Sequence, residues 1–249
     1  MARDLSLLEA LGARILYLLE SGVREIPLRS PARDLGGAPE SRTLSAGGVE
    51  PVSAEGLLEE IRRELETCNR CPLGRTRRNL VFGEGNPHAD ILFVGEGPGS
   101  EEDATGRPFV GPAGQLLTKI IEAGMGVPRS SVYICNIVKC RPPNNRPPLD
   151  EEAEACMPFL ERQIEAIRPR VIITLGHTAA SRLLGLRGPM HQLRGKWQTF
   201  RGIPVMPTFH PSYVLRYYTV AVRRQVWEDV QEAMRLLKGS GPPSGREEG

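Results

Sequence analysis

Residues Asp90 to Gly114 read DILFVGEGPGSEEDATGRPFVGPAG, and the fold hangs on this stretch. The apolar run Ile91-Leu92-Phe93-Val94 is too short for a helix of its own and reads as a buried strand. It stops at Gly95-Glu96-Gly97-Pro98-Gly99, a turn whose missing side chains at Gly95 and Gly97 let a ligand approach the backbone. The acidic cluster Glu101-Glu102-Asp103 reads as a polar loop, and Arg107 to Gly111 follow it. From Ala113 on, Leu116, Leu117, Ile120 and Ile121 recur at helical spacing. Strand, glycine turn, loop and helix make an active-site edge in an open α/β sheet, because ligands bind beyond the carboxyl ends of such strands.

Working outward, the same alternation continues. Ser131 to Val138 reads as a second strand, and the proline-rich run Lys139 to Pro148 excludes regular structure after it. A helix is expected from Asp150 to Ile167, with acidic residues in its first turn where the dipole favours them. Arg170 to Leu175 is a third strand, and Gly176-His177-Thr178 opens a helix to Leu184. Residues 188 to 202 form a loop or hairpin around Trp197, and Ile203 to Thr208 is a fourth strand ending in Phe209-His210-Pro211-Ser212. A last helix covers Ala221 to Leu237. Short connections between alternating strands and helices predict a parallel four-stranded sheet covered on both faces. Its carboxyl edge would collect Glu96, Asn136, His177 and His210.

On the amino-terminal side, Ser53 caps a helix to Thr67, with Leu57, Leu58, Ile61 and Leu65 on one face, and Val81 to Pro87 reads as a turn. Residues 1–26 carry an amphipathic stripe (Leu7, Leu8, Leu11, Ile15, Leu18, Leu19), residues 27–55 read as a flexible linker, and residues 238–249 have the composition of a disordered tail. The main domain is thus expected over residues 56–237 of the 249.

Bulk properties exclude little. A formal charge of +2 does not by itself argue for nucleic acid, although arginines and lysines gather at 70–78, 139–146 and 194–201. Arg3, Asp4 and Glu9 interrupt any signal-peptide pattern, and no run has the ~18 apolar residues of a membrane span. A cytosolic protein is expected, so five cysteines argue for metal or catalysis more than for disulfides. Cys68 and Cys71 form C-x2-C, and Cys140 and Cys156 form C-x15-C. Four thiolates can hold tetrahedral zinc or an iron–sulfur cluster, and spacing alone does not choose. Cys135, within a strand, reads as a small buried hydrophobe.

Together GEGPG, EED, GRPFVG, NIVKCRPP and HPSYVLR, set among these cysteines, resemble the family 4 uracil-DNA glycosylases over residues 55 to 237. The resemblance implies a three-layer α/β/α fold, prokaryotic origin, and release of uracil from DNA as the free base by a monomer without a catalytic metal. It also implies a [4Fe–4S] cluster on Cys68, Cys71, Cys140 and Cys156. By the same resemblance Glu96 positions the attacking water, Phe109 stacks on the extruded uracil, Asn136 reads its edge, and His210 hydrogen-bonds its O2.

These residue types suit that chemistry. A fixed asparagine amide offers a donor and an acceptor, which match O4 and N3–H of uracil and mismatch cytosine. The bond breaks toward a sugar cation and a uracil anion, so a donor near O2, from His210 or the Gly95–Gly99 backbone, stabilises the developing charge. Ser212 and the run Tyr213 to Arg216 would enter the minor groove with Leu215 as an apolar wedge, and Arg141, Arg146 and Arg216 would meet phosphates. His177 belongs to no such motif and reads as a helix-start residue. A related iron–sulfur branch stays covalently trapped through a histidine between the third and fourth cysteines. Residues 141–155 contain no histidine, which favours turnover. A non-catalytic DNA-binding module would bind DNA without base release and be indifferent to Glu96, and a redox role would need a partner.

Overall fold

A computed structural model describes residues 53–239. The expected helix at 1–26, the linker up to residue 52 and the tail beyond 239 lie outside the described residues.

Helix α1 (Ala54–Glu66) starts where Ser53 accepts a hydrogen bond from the Gly56 amide, as its sequence position predicts. It buries Leu58, Ile61 and Leu65. A one-turn helix α2 (Leu73–Thr76) follows, then strands β1 (Glu84–Gly85) and β2 (Ile91–Gly95). Helices α3 (Ser100–Thr105) and α4 (Pro112–Lys119) come next, the latter widening into a π-helical turn over Ile120–Met125. Strand β3 (Tyr133–Asn136) is followed by helix α5 (Asp150–Ile167), strand β4 (Val171–Leu175) and helix α6 (His177–Leu184). The remainder is the short helix α7 (Met190–Leu193), the hairpin β5 (Gln198–Phe200) and β6 (Ile203–Thr208), then helices α8 (Pro211–Arg216) and α9 (Val220–Leu237).

The sheet order is β1-β3-β2-β4-β6-β5. The four expected strands are its parallel centre, with Gly95 opposite Asn136 and Leu175 opposite Thr208. Two short antiparallel edge strands correct the four-stranded expectation. The segment read as a turn contributes β1, in which Glu84 pairs with Ile134 and Gly85 with Tyr133. Two residues carry no periodicity, so only the neighbouring strand makes this one. β5 is the outer arm of the hairpin around Trp197. Residues 100–105, read as a loop, form helix α3. Glu102 at its third position reaches back to accept from the Gly99 amide at 3.1 Å, and the acidic first turn meets the positive helix end.

Alternation along β2 builds the three layers. Leu92 and Val94 face a core shared with α1, α5 and α6, through Ile61, Phe159, Leu160 and Leu183. Ile91 and Phe93 face the opposite core, against Leu117, Ile121, Val226 and Val230 of α4 and α9. Every residue of β2 is buried. Fully burying one such side chain stabilises by ~1.5–3 kcal/mol, more than the ~1 kcal/mol net of a ladder hydrogen bond, so the two helical layers hold the sheet. The chain leaves β2 for β3 on one side and then crosses to β4 on the other. The crevice of this reversal opens at the carboxyl edge beside Gly95.

Candidate active site

A cavity of about 300 Å³ lies at that edge, lined among others by Glu96, Gly97, Phe109, Asn136, Arg146 and His210. Three of the four edge residues expected from sequence therefore meet in one place. His177, at the start of α6, is exposed and does not line the cavity.

Each wall is held from behind. The β2–β3 ladder continues past the strand ends, the Ile137 amide donating to Gly95 O at 2.9 Å and the Val138 amide to Glu96 O at 3.2 Å. This pins the turn on which Glu96 sits, and the Thr178 hydroxyl donates to Glu96 Oε2. Asn136 ends β3 at 1% exposure, and its Oδ1 is buried without a hydrogen-bond partner. Its backbone carbonyl accepts from the buried Lys139 Nζ at 2.7 Å. A Cβ on Gly95 would stand 2.4 Å from Asn136 Oδ1 and 2.5 Å from Phe109 Cζ, so glycine there lets the amide and the ring share one wall.

Phe109 has a left-handed backbone, with φ of 53°, uncommon for a side-chain-bearing residue. Several contacts maintain it. Glu102 Oε1 accepts from the Val110 and Gly111 amides, each at 2.9 Å. Arg129 donates to Pro108 O at 2.7 Å and pairs with Glu84 at 3.0 Å, and Glu84 in turn holds Arg107 at 2.8 Å. Gly114 passes beneath, where a Cβ would lie 1.9 Å from the Phe109 carbonyl oxygen.

The Phe109 ring centroid is 5.7 Å from that of His210. His210 caps α8, and its Nδ1 accepts from the Ser212 amide at 3.1 Å and contacts the Ser212 hydroxyl at 2.7 Å. An amide can only donate, so Nδ1 carries the lone pair and the proton sits on Nε2. Burial pushes the imidazole down to about 4, with Glu102 opposing, so the ring is neutral at pH 7. Gly176 makes room for it, since a Cβ there would meet His210 Cβ at 2.8 Å.

The candidate DNA contacts are less uniform. Leu215 is 41% exposed on α8, and Arg216 beside it has no ion-pair partner among the described residues. Arg141 donates through Nε to Asn145 Oδ1 at 2.7 Å. Arg146 forks onto the buried Glu152 carboxylate at 2.7 and 2.8 Å, which holds that acid below the usual carboxylate range. Ser212, expected at the DNA, spends both its amide and its hydroxyl on His210.

All five cysteines are free thiols, three of them buried. Cys135 is fully buried, and burial raises its thiol. Cys140 and Cys156 sit in the core that Cys68 and Cys71 pack against. Burial raises both buried thiols, that of Cys156 to about 11, and the neighbouring thiols add to it. Among the described residues no three such side chains converge enough for a single metal ion. Cys140 lies within electrostatic reach of Cys68 and Cys71, and Cys156 within reach of Cys140 and Cys71, so the four thiols share one neighbourhood, a donor set of the kind that holds an iron–sulfur cluster. Arg77 ties the halves together, donating to Cys140 Sγ at 3.3 Å and to the carbonyls of Leu65 and Glu66 at 2.7 and 2.6 Å.

Several supporting residues carried no functional reading in the sequence. Glu102 had a usable signal, the Gly99-x-x-Glu102 spacing of a capping box. Thr178, Arg129 and Arg77 had none, because each reaches a partner far along the chain.

Comparison with known proteins gives the family. The family model described as Uracil DNA glycosylase superfamily matches residues 82–231. The chain is 50% identical to the type-4 uracil-DNA glycosylase of Thermotoga maritima, over 75% of this chain and 98% of that protein. It is 44% identical to the type-4 enzyme of Saccharolobus solfataricus, over 72% and 86% of the two chains. A type-5 uracil-DNA glycosylase of Thermus thermophilus matches at 33% identity over 63% of this chain. The chain belongs to the type-4 branch of the uracil DNA glycosylase superfamily.

Proposed function

We propose that the protein draws uracil out of DNA into this cavity, hydrolyses its N-glycosidic bond, and leaves an abasic site and the free base. The observation that carries this reading is the Asn136 side chain, a buried amide whose carbonyl oxygen has no partner within the protein. A buried acceptor left unpaired costs ~1–3 kcal/mol, and uracil N3–H returns that cost while the amide NH2 donates to O4. Cytosine presents an acceptor at N3 and a donor at position 4, so it leaves both ends mismatched.

The base must leave the stack to reach Asn136, and Phe109 supplies the face on which it rests, at ~1–3 kcal/mol for stacking. As the C–N bond breaks, the bonding pair goes to uracil and negative charge spreads to O2. Nε2–H of neutral His210 is the donor that meets it. Glu96, aimed by Thr178, holds a water against C1′ of the sugar, offsets its positive charge, and accepts the proton the water loses.

Cys68, Cys71, Cys140 and Cys156 would hold a [4Fe–4S] cluster, which supplies cross-linking and no step of the hydrolysis. It would pin the segment after α1 to the loop after β3, whose strand ends in Asn136.

Uracil-DNA is the partner this reading requires. Among the described residues no helix is long and apolar enough to cross a membrane.

The test is an end-labelled oligonucleotide with one uracil, treated with alkali after incubation. Strand cleavage at uracil, absent with thymine or cytosine there and lost in Glu96→Ala, is expected. No cleavage by cluster-loaded protein would overturn the reading, and a denaturant-resistant protein–DNA band would replace it with covalent trapping. In the same assay Asn136→Asp should lose uracil activity or gain activity on cytosine, and unchanged selectivity would remove Asn136 from base reading.

A further inference from the structure

Beyond the cavity, a column of rings runs past α8, from the residue before its N-cap to its C-cap. Phe209 is 6% exposed and stacks on Tyr213 with centroids 4.8 Å apart and planes 18° apart. Tyr213 meets Tyr217 at 4.7 Å and 44°. The three rings lie four residues apart, Phe209 just before α8, Tyr213 within it and Tyr217 at its C-cap. The column begins in the core beside His210 and ends in solvent, where Tyr217 is 50% and Tyr218 60% exposed. Its outer end is not loose. The Tyr217 amide donates to Tyr213 O at 2.9 Å, the Thr219 amide donates to Tyr217 O at 2.7 Å, and Thr219 caps α9. The Arg223 guanidinium lies 4.6 Å from the Tyr218 ring centroid.

Charge on this strip has one sign. Between Pro211 and Trp227 the chain has Arg216, Arg223 and Arg224 and no acidic residue. Arg224 pairs with Glu228, whereas Arg216 and Arg223 have no ion pair among the described residues. Exposed rings interleaved with unpaired arginines, continuous with the base pocket, match a nucleic-acid strand: ring faces for bases, guanidinium groups for phosphates.

We propose that Tyr217 and Tyr218 form a stacking platform for the nucleotides flanking the extruded uracil, and that this platform favours single-stranded over duplex substrate. The choice of DNA as occupant rests on the uracil-excision reading above. The preference follows from stacking competition. In a duplex the flanking bases are already stacked between neighbours and must give that up to reach the platform. In a single strand they are free to turn outward.

The experiment measures fluorescence anisotropy of labelled oligonucleotides containing 2′-fluoro-2′-deoxyuridine, single-stranded and paired, where the fluorine disfavours the sugar cation and stops turnover. Tyr217→Ala is expected to weaken single-strand binding roughly tenfold and duplex binding by less than about threefold, the size of one lost stack. Tyr217→Phe keeps the ring and should bind within about twofold of the parent protein. Equal affinity of Tyr217→Ala and parent for the single strand would overturn the proposal, as would equal losses in Tyr217→Ala and Tyr217→Phe. Excision is read separately on ordinary uracil-DNA. Parent protein that releases no uracil but shows the ring-dependent affinity loss would sink the excision reading and leave the platform standing.

Discussion

The imidazole of His210 is a donor because Ser212 occupies its other nitrogen. Burial then keeps it neutral, which suits the role proposed for it as a donor to the uracil O2. Its NMR titration should show a neutral ring down to about pH 4, in place of the usual ~6.5. Stability follows with a definite sign. Above the unfolded value neither state is charged. Below it the unfolded chain takes up the proton and the folded chain does not, so folding weakens from about pH 6.5 down to about 4 and then levels off. Replacing His210 by Gln should flatten that part of the pH–stability curve, as followed by thermal melts. A His210 resonance titrating near 6.5 would contradict the assignment. At this scale Glu96, Phe109, Asn136 and His210 stand in motifs legible in the sequence, and the structure brings all four to one cavity. Ser212 stands in the last of these motifs, and its contacts with His210 belong to the structure alone, since a capping contact between residues 210 and 212 leaves no distinctive mark in a sequence.

Among elements, the loop from Gly106 to Gly111 shows how position is enforced. Its single aromatic is useful only in the left-handed conformation that Glu102, Arg129 and Gly114 impose together. Gly114→Ala sets a methyl group against the Phe109 carbonyl and must displace either the loop or α4. Overpacking of this kind costs ~1–3 kcal/mol. The variant should melt lower and lose affinity for uracil-DNA while keeping the thiol cluster intact, as checked by calorimetry and substrate titration. A variant with parent-like affinity would show that the loop does not need this geometry. Helix α3, misread as a loop, belongs to the same lesson. Three acids in a row look like solvated surface until one of them turns back to cap its own helix and hold the next loop.

At the scale of the whole molecule, the four thiols join α1 and α2 to the strand loop and helix that follow the first half of the sheet. With the proposed [4Fe–4S] cluster on these thiols, Cys156→Ser should lose the iron–sulfur chromophore and lower the melting temperature. Cys135→Ser should keep the chromophore, because that thiol is buried within β3, outside the proposed ligand set. Retention of colour in Cys156→Ser would remove it from the ligand set.

The sequence by itself determined the alternation of strands and helices, the parallel strands that share one carboxyl edge, and the residue types that stand at that edge. Those depend on local periodicity and on chemistry that each side chain carries wherever it goes. Only the tertiary structure decided the edge strands, the left-handed Phe109 loop, the tautomer of His210 and the ring column that runs out to Tyr217. Each of these is a competition among partners distant in the chain. Two-residue β1 forms because β3 offers it a ladder, and Glu96 is aimed because a threonine eighty-two residues away donates to it.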